Sequence, residues 1–64
     1  MKTGDELRQM IEGEINETER RLAFWRQQEH AQAGTHLGRH IPAIVDGYDC
    51  QLRRLEEARK LFDA

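Results

Sequence analysis

Three histidines lie within eleven residues of one another in this 64-residue chain, and imidazole nitrogens are common ligands of metal ions. They are His30, His36 and His40, with Glu29 and Cys50 as further possible ligands. Two histidines four residues apart can share a metal on a helix, but Gly38 places His36 and His40 in a segment of loop composition. The chain also lacks the C-x-x-C and H-E-x-x-H patterns. We therefore expect exposed loop histidines and neither a metal nor a cofactor, with a pH-sensitive or anion-binding role left open.

A second group of charged residues could bind an anion or a nucleic acid. Its members are four arginines and two of the histidines: Arg20, Arg21, Arg26, Arg39, His36 and His40. Arginines bind phosphate, and the nearby Trp25 could stack on a base. The alternative is a solvated helix face on which the first three arginines pair with acidic residues such as Asp46 and Asp49. The net charge of −2 gives no general attraction to nucleic acid, which favours the solvated face.

Cys50 is the one cysteine of the chain. No histidine is close to it in sequence and no glycine-rich turn surrounds it, so nothing indicates an activated nucleophile. A lone cysteine excludes an internal disulfide and fits a reducing compartment. It lies off the main apolar stripe of its segment, and we expect a half-buried, inert thiol. Because so short a chain offers hardly any enclosed cleft, we expect no catalytic residues and no enzyme.

The spacing of apolar side chains predicts the elements that carry these residues. Over residues 5–33, apolar side chains recur at steps of three and four, which is typical of one face of a long helix. The stripe consists of Leu7, Ile11, Ile15, Thr18, Leu22 and Trp25, flanked by Met10 and Phe24. Thr3 followed by Glu6 matches the capping box that begins a helix. We therefore predict a first helix over about residues 4–33.

A second helix is predicted over about residues 41–62, after a loop over about residues 34–40. Gly34 suits the left-handed residue that ends a helix, and Pro42 suits the first turn of the next one. A single helical turn inside the loop is possible. The apolar residues of the second helix follow a heptad-like spacing: Ile41, Val45, Tyr48, Leu52, Leu55 and Phe62, with Ile44, Ala58 and Leu61 beside them.

The apolar stripes also predict which side chains are buried. The centre of the core is expected to consist of Leu22, Trp25, Tyr48, Leu52 and Leu55. Arg59 interrupts the second stripe, and we expect its stem to lie along the core and its guanidinium to reach Glu17 or a carboxylate of a partner chain. The alternative is that the Arg59 side chain is fully solvated. Gly13 is either a neutral surface position or a point of close approach by another helix.

Two helices joined by a short loop predict an all-α fold, an antiparallel helical hairpin that occupies residues 1–64 as one domain. Neighbouring positions would have numbers that sum to about 75, which pairs Arg26 with Asp49. Each stripe touches only one neighbouring helix, and the overhanging start of the first helix carries Leu7, Met10 and Ile11. We therefore expect homodimerisation into a four-helix bundle, or completion by helices of a different protein.

These features predict a small non-enzymatic protein-interaction module, an adaptor, co-chaperone or inhibitor that regulates another protein by occupying its surface. The candidate partner-binding residues are Leu7, Met10, Ile11 and Phe24, the last as an aromatic anchor. The alternative function is a nucleic-acid or nucleotide binder that uses the basic loop end of the hairpin. No segment is apolar enough for a membrane span and the N-terminus is too polar for a signal peptide, so we expect a cytoplasmic protein.

Overall fold

The computed structural model describes residues 3–63, and this part of the chain is all-helical. Helix α1 is Gly4–Ala31, helix α2 is Ile41–Asp63, and a short 3-10 turn, Leu37–Arg39, lies between them. The two helices pack against each other as an antiparallel hairpin that measures 47 × 17 × 14 Å. The predicted helical hairpin is therefore confirmed, while the ends of the predicted 1–64 domain lie outside the described residues.

Helix α1 begins where the capping box predicts. The backbone amide of Glu6 donates a hydrogen bond of 3.2 Å to the side-chain oxygen of Thr3, which satisfies one of the donors that a helix start leaves unpaired. Asp5 and Glu6 lie in the first turn, where negative charge is favoured by the helix dipole.

Helix α1 ends at Ala31, two residues earlier than predicted. The amide of Gln32 still donates to the carbonyl oxygen of Gln28, at 2.8 Å, but Gln32 has left helical geometry. Gly34 has the expected left-handed conformation, with φ of +85°. The helix stops short of Gly34 because the residues between them form the turn that leads into this conformation.

The loop is organised by Thr35. Its hydroxyl donates to the carbonyl oxygen of Gln32 at 2.7 Å and accepts from the amide of Gly38 at 3.0 Å. Gly38 lies so close to Gln32 that a Cβ atom at position 38 would overlap the Gln32 carbonyl group. The 3-10 turn that follows is closed by the amide of His40, which donates to the carbonyl oxygen of Leu37 at 3.0 Å.

The core is concentrated nearer the loop than the sequence predicts. Leu22 is buried as expected, but its buried neighbours are Ile41 and Val45, and Ile41 is fully buried. The other residues of the expected core, which are all half-buried, are Trp25, Tyr48, Leu52 and Leu55. Ile41 and Val45 form a buried cluster with Leu22, and Trp25, Tyr48 and Leu52 pack against this cluster. Farther along α1, Ile15 and Thr18 are also buried.

Two expectations about single side chains are wrong. Glu17 contacts Arg21 at 3.1 Å and Arg20 at 3.9 Å and does not pair with Arg59, for which a carboxylate of a partner chain stays the prediction. Residues three and four apart on one helix are already neighbours, so Arg20 and Arg21 reach Glu17 more readily than Arg59 does from α2. Arg59 is half-buried, as expected for a stem along the core. Cys50 is exposed rather than half-buried, because five residues beyond Val45 the helix has turned about 140° away from its buried line.

Gly13 has open space around it: a Cβ atom there would meet nothing within 4 Å. It is therefore a surface position of the hairpin. Within the described chain, neither helix has a stretch long and apolar enough to cross a lipid bilayer.

Candidate protein-interaction surface

Two contacts between the helices mark opposite flanks of the hairpin. On one flank, the guanidinium of Arg26 pairs with the carboxylate of Asp49 at 3.3 Å, as the predicted register requires. On the other flank, the guanidinium of Arg21 approaches the hydroxyl of Tyr48. The step from Arg21 to Arg26 turns an α-helix by about 140°, which explains why the two arginines leave α1 on different sides of α2.

The flank of the Arg26–Asp49 pair is lined by charged side chains of both signs. Helical spacing places the following residues there: Arg8, Glu12, Glu19 and Arg26 of α1, and Asp49, Arg53, Glu56 and Lys60 of α2. Arg8 pairs with Glu12 on this flank at 3.4 Å. A surface of this composition is typical of a face that stays in water.

The flank of the Arg21–Tyr48 contact has a different character on α2. Spacing of three and four residues around Tyr48 defines an uncharged strip: Ile44, Gly47, Tyr48, Gln51, Leu55, Ala58 and Phe62. The rest of α2 is rich in charge, so a strip of five turns without any is a distinct feature of this helix. Ile44, Tyr48 and Leu55 are only half-buried by the hairpin.

A shallow, open depression of about 320 Å³ lies in the uncharged strip. It is lined by Ile44, Gly47, Tyr48 and Gln51, and it exists because Gly47 has no side chain between its larger neighbours. A Cβ atom built at position 47 would meet nothing within 4 Å, so no other part of the described hairpin fills this space.

The end of the hairpin away from the loop, termed the open end, is apolar at its tip. Asp63 ends α2 beside about residue 12 of α1, so the first turns of α1 extend beyond it, as predicted. Leu7 and Met10 are 41% and 51% exposed there, and Ile11 is half-buried. The end of α2 adds Leu61 and Phe62, which are 79% and 38% exposed. The sequence pattern assigned Phe62 to the core stripe, so its exposure was not predicted. The unequal lengths of the two helices could have indicated it, because side chains near the open end have little cover.

Phe24 does not belong to the open end, although it was predicted with Leu7, Met10 and Ile11. It lies about fourteen residues from Met10 along α1, a distance of about 21 Å. Its side chain is 51% exposed, and its ring packs edge-on against Trp25 with a centroid distance of 5.3 Å. The structure thus divides the predicted partner-binding residues into two separate places.

The start of α1 at the apolar tip is acidic, whereas the end of α2 beside it carries charges of both signs, including Arg59 and Lys60. Four acidic residues lie along the first three turns of α1, namely Asp5, Glu6, Glu12 and Glu14. Arg8 is the basic residue among them and it pairs with Glu12. The next acidic residue, Glu17, pairs with Arg20 and Arg21. The open end therefore combines exposed apolar side chains with an acidic border on the α1 side.

The predicted anion-binding arginines are engaged within the hairpin. Arg20 and Arg21 both contact Glu17, and Arg26 contacts Asp49. The pKa of Arg21 is raised above its ordinary value, first by the hydrogen bond to Glu17 and then by the Tyr48 hydroxyl. These partners neutralise much of the positive charge that a phosphate would need.

The remaining basic residues of that prediction lie in or beside the 3-10 turn. Arg39, His36 and His40 are exposed, and the rings of the two histidines pack edge-to-face with centroids 5.2 Å apart. Among the described residues, no group of three or more His, Cys, Asp or Glu side chains is arranged to hold a metal ion.

No protein-family model matches this chain, and no curated protein or solved structure is significantly similar to it. The chemistry of the surface is therefore the basis for the function proposed below.

Proposed function

We propose that this chain is a small non-enzymatic protein-interaction module that self-associates and occupies the surface of another protein, as an adaptor, co-chaperone or inhibitor. The observation that supports this function is the apolar open end. Four hydrophobic residues are buried among those described, whereas six large ones are exposed: Leu7, Met10, Phe24, Leu37, Leu61 and Phe62. Exposed apolar clusters rimmed by polar residues mark interaction sites.

Self-association follows from the thinness of the hairpin. Each helix is covered on one side only, so Trp25, Tyr48 and Leu55 keep part of their apolar surface in water. A chain of this size buries too little of its surface to be comfortably stable alone. Two hairpins packed face to face form a four-helix bundle with a common core, which removes this surface from water.

The composition of the open end indicates the chemistry of the partner protein. Its apolar tip fits an apolar groove, and the acidic start of α1 fits a lysine or arginine at the border of that groove. We place this activity in the cytoplasm, because the exposed thiol of Cys50 suits a reducing compartment.

Binding of nucleic acid through Arg20, Arg21, Arg26 and the loop is the alternative function. The ion pairs of these arginines with Glu17 and Asp49 argue against it, because a phosphate would have to displace carboxylates that are already in place. The two functions differ in salt dependence. Phosphate-driven binding weakens steeply as salt is added, whereas an apolar interface is much less affected.

A binding experiment tests the proposal at the open end. The immobilised chain is exposed to an extract of its host at low and high salt, and the double variant Leu7→Gln, Leu61→Gln is compared with wild type. Both leucines are exposed, so the hairpin should keep its fold. The matched control is Ala23→Gln, an equally polar change at an exposed position of α1 outside the open end.

The expected result is a protein that is retained at high salt by wild type and by the Ala23→Gln control but lost from the double variant. Retention of nucleic acid that is released by salt would support the alternative function. A protein that binds all three chains equally, or no retained protein at all, would contradict a partner site at the open end.

A further inference from the structure

We infer that two copies of this chain associate through the uncharged strip of α2, with the two α2 helices antiparallel and Leu55 of each copy inserted at Gly47 of the other. The inference rests on the self-association proposed above and specifies its interface and register. The partner is a second copy of the same chain, because the strip carries both halves of the contact.

The depression at Gly47 has the geometry of a helix-packing hole. In coiled coils and helix bundles, a side chain of one helix inserts between four residues of the facing helix. Those four residues follow the spacing i, i+3, i+4 and i+7 along the helix. Ile44, Gly47, Tyr48 and Gln51 have this spacing and line the depression. The absence of a side chain at Gly47 makes the hole deep enough for a large aliphatic side chain.

Leu55 supplies the side chain that fills this hole. It lies two turns beyond Gly47 in the same strip and is only half-buried by its own hairpin. In a two-fold symmetric dimer, Leu55 of each copy contacts Gly47 of the other. The two-fold axis then passes beside Gln51, because residue 51 lies midway between residues 47 and 55. The same register brings the large Ile44 against the small Ala58, so the strip is complementary to itself in shape.

The residue at the axis fits this arrangement. Gln51 meets its own counterpart, and a side-chain amide both donates and accepts hydrogen bonds, so two amides can satisfy each other. A charged residue at this position would meet the same charge across the axis, and the strip contains none.

The distribution of charge along the hairpin favours the antiparallel arrangement. The start of α1 is acidic, while the loop end carries Arg39, His36 and His40. Antiparallel association places the acidic start of α1 of one copy level with the basic loop of the other. A parallel arrangement would instead place the acidic starts of the two α1 helices level with each other.

Leu61 points about 120° away from Leu55 around α2. It therefore stays outside the interface and available to a different protein.

The first test fills the hole. Gly47→Leu adds a good helix former at an exposed position, so the hairpin itself should be retained. The matched control is Gly13→Leu, the same substitution at a glycine of α1 that is also surrounded by open space. Sedimentation equilibrium should show the dimer dissociation constant raised about tenfold or more by Gly47→Leu and unchanged by Gly13→Leu.

The second test places a thiol at the axis. In the double variant Cys50→Ser, Gln51→Cys, the new cysteine meets its own counterpart, and mild oxidation should form a covalent dimer about tenfold faster than in wild type. Wild type is the control, because Cys50 lies one residue away and points about 100° from the axis.

The outcomes separate this interface from self-association in general. A wild-type chain that sediments as a monomer would overturn both proposals. A dimer that persists in Gly47→Leu, or one in which Cys50 cross-links as fast as a cysteine at position 51, would overturn the α2 interface alone and leave self-association standing.

Discussion

At the scale of single residues, the loop shows how few atoms decide the path of this chain. The carbonyl oxygen of Gln32 accepts from the hydroxyl of Thr35, and Gly38 passes directly over it. Gly34, two residues after Gln32, supplies the left-handed turn. Gly34 could be assigned from sequence because a glycine after a long helix has an established role. The part played by Thr35 could not, because a threonine in a loop has many possible partners and only the fold selects one.

The contact at Gly38 gives a prediction for that residue. Gly38→Ala should lower the free energy of unfolding by about 1–3 kcal/mol, because the new methyl group overlaps the backbone of Gln32, which cannot move without disturbing the end of α1. Thermal unfolding followed by circular dichroism measures the change. The control Gly13→Ala should raise stability by about 0.5–1 kcal/mol, since its methyl group meets nothing. Equal effects at the two glycines would show that the loop does not approach Gln32.

At the scale of elements, both helices could be predicted because their signals are local. Thr3 marks the start of α1, Pro42 marks the start of α2, and apolar side chains recur every three or four residues between these signals and the helix ends. The depth of burial could not be predicted in the same way. Periodicity identifies the inward face of a helix, but it does not show that burial in α2 is deepest at Ile41 and Val45, in its first turns.

Of two ion pairs predicted between the helices, one forms and the other does not. The register predicts Arg26 with Asp49, and this pair forms. The same register predicts Arg59 with Glu17, but Arg21 reaches Glu17 from one turn away on the same helix. At Glu17 the contact within α1, which requires no precise docking of the helices, forms in place of the contact between helices.

The core assignment predicts a sharp contrast along α1. Leu22→Ala should cost about 2–5 kcal/mol of stability, because it removes the side chain that packs between Ile41 and Val45 and leaves a cavity. Gln27→Ala, at an exposed position one turn further along, should change stability by about 0.5 kcal/mol or less. Chemical denaturation of both variants measures these differences. Similar losses for the two would show that α1 does not bury the face that carries Leu22.

At the scale of the whole molecule, the hairpin is a thin rod, 47 Å long and only 14–17 Å across. A body of this shape is nearly all surface, so most apolar side chains have no full cover within the chain. That conclusion could be drawn from length and periodicity alone. The side on which the uncovered residues gather could not, because it depends on how α1 and α2 rotate against each other, which the contacts of Arg21 and Arg26 define.

The exposed apolar area predicts that stability depends on concentration. If folding and association are coupled, the midpoint of thermal unfolding should rise as protein concentration is raised over two orders of magnitude. Sedimentation equilibrium at micromolar concentration should give a mass well above the 7.5 kDa of one chain. A midpoint that does not move, together with a mass of 7.5 kDa, would show that a single hairpin is stable alone.

The position of the core also determines the order in which the hairpin forms. The buried hydrophobic residues of α2, Ile41 and Val45, both lie in its first five residues, so they meet α1 after the closure of the shortest loop. Folding should therefore start beside the 3-10 turn, and contacts between α1 and α2 should then form progressively toward the open end. Amide hydrogen exchange should be slowest around Leu22 and Val45 and fastest near Leu7 and Leu61. The surface that we propose for another protein is thus the last part of the hairpin to close and the first to open.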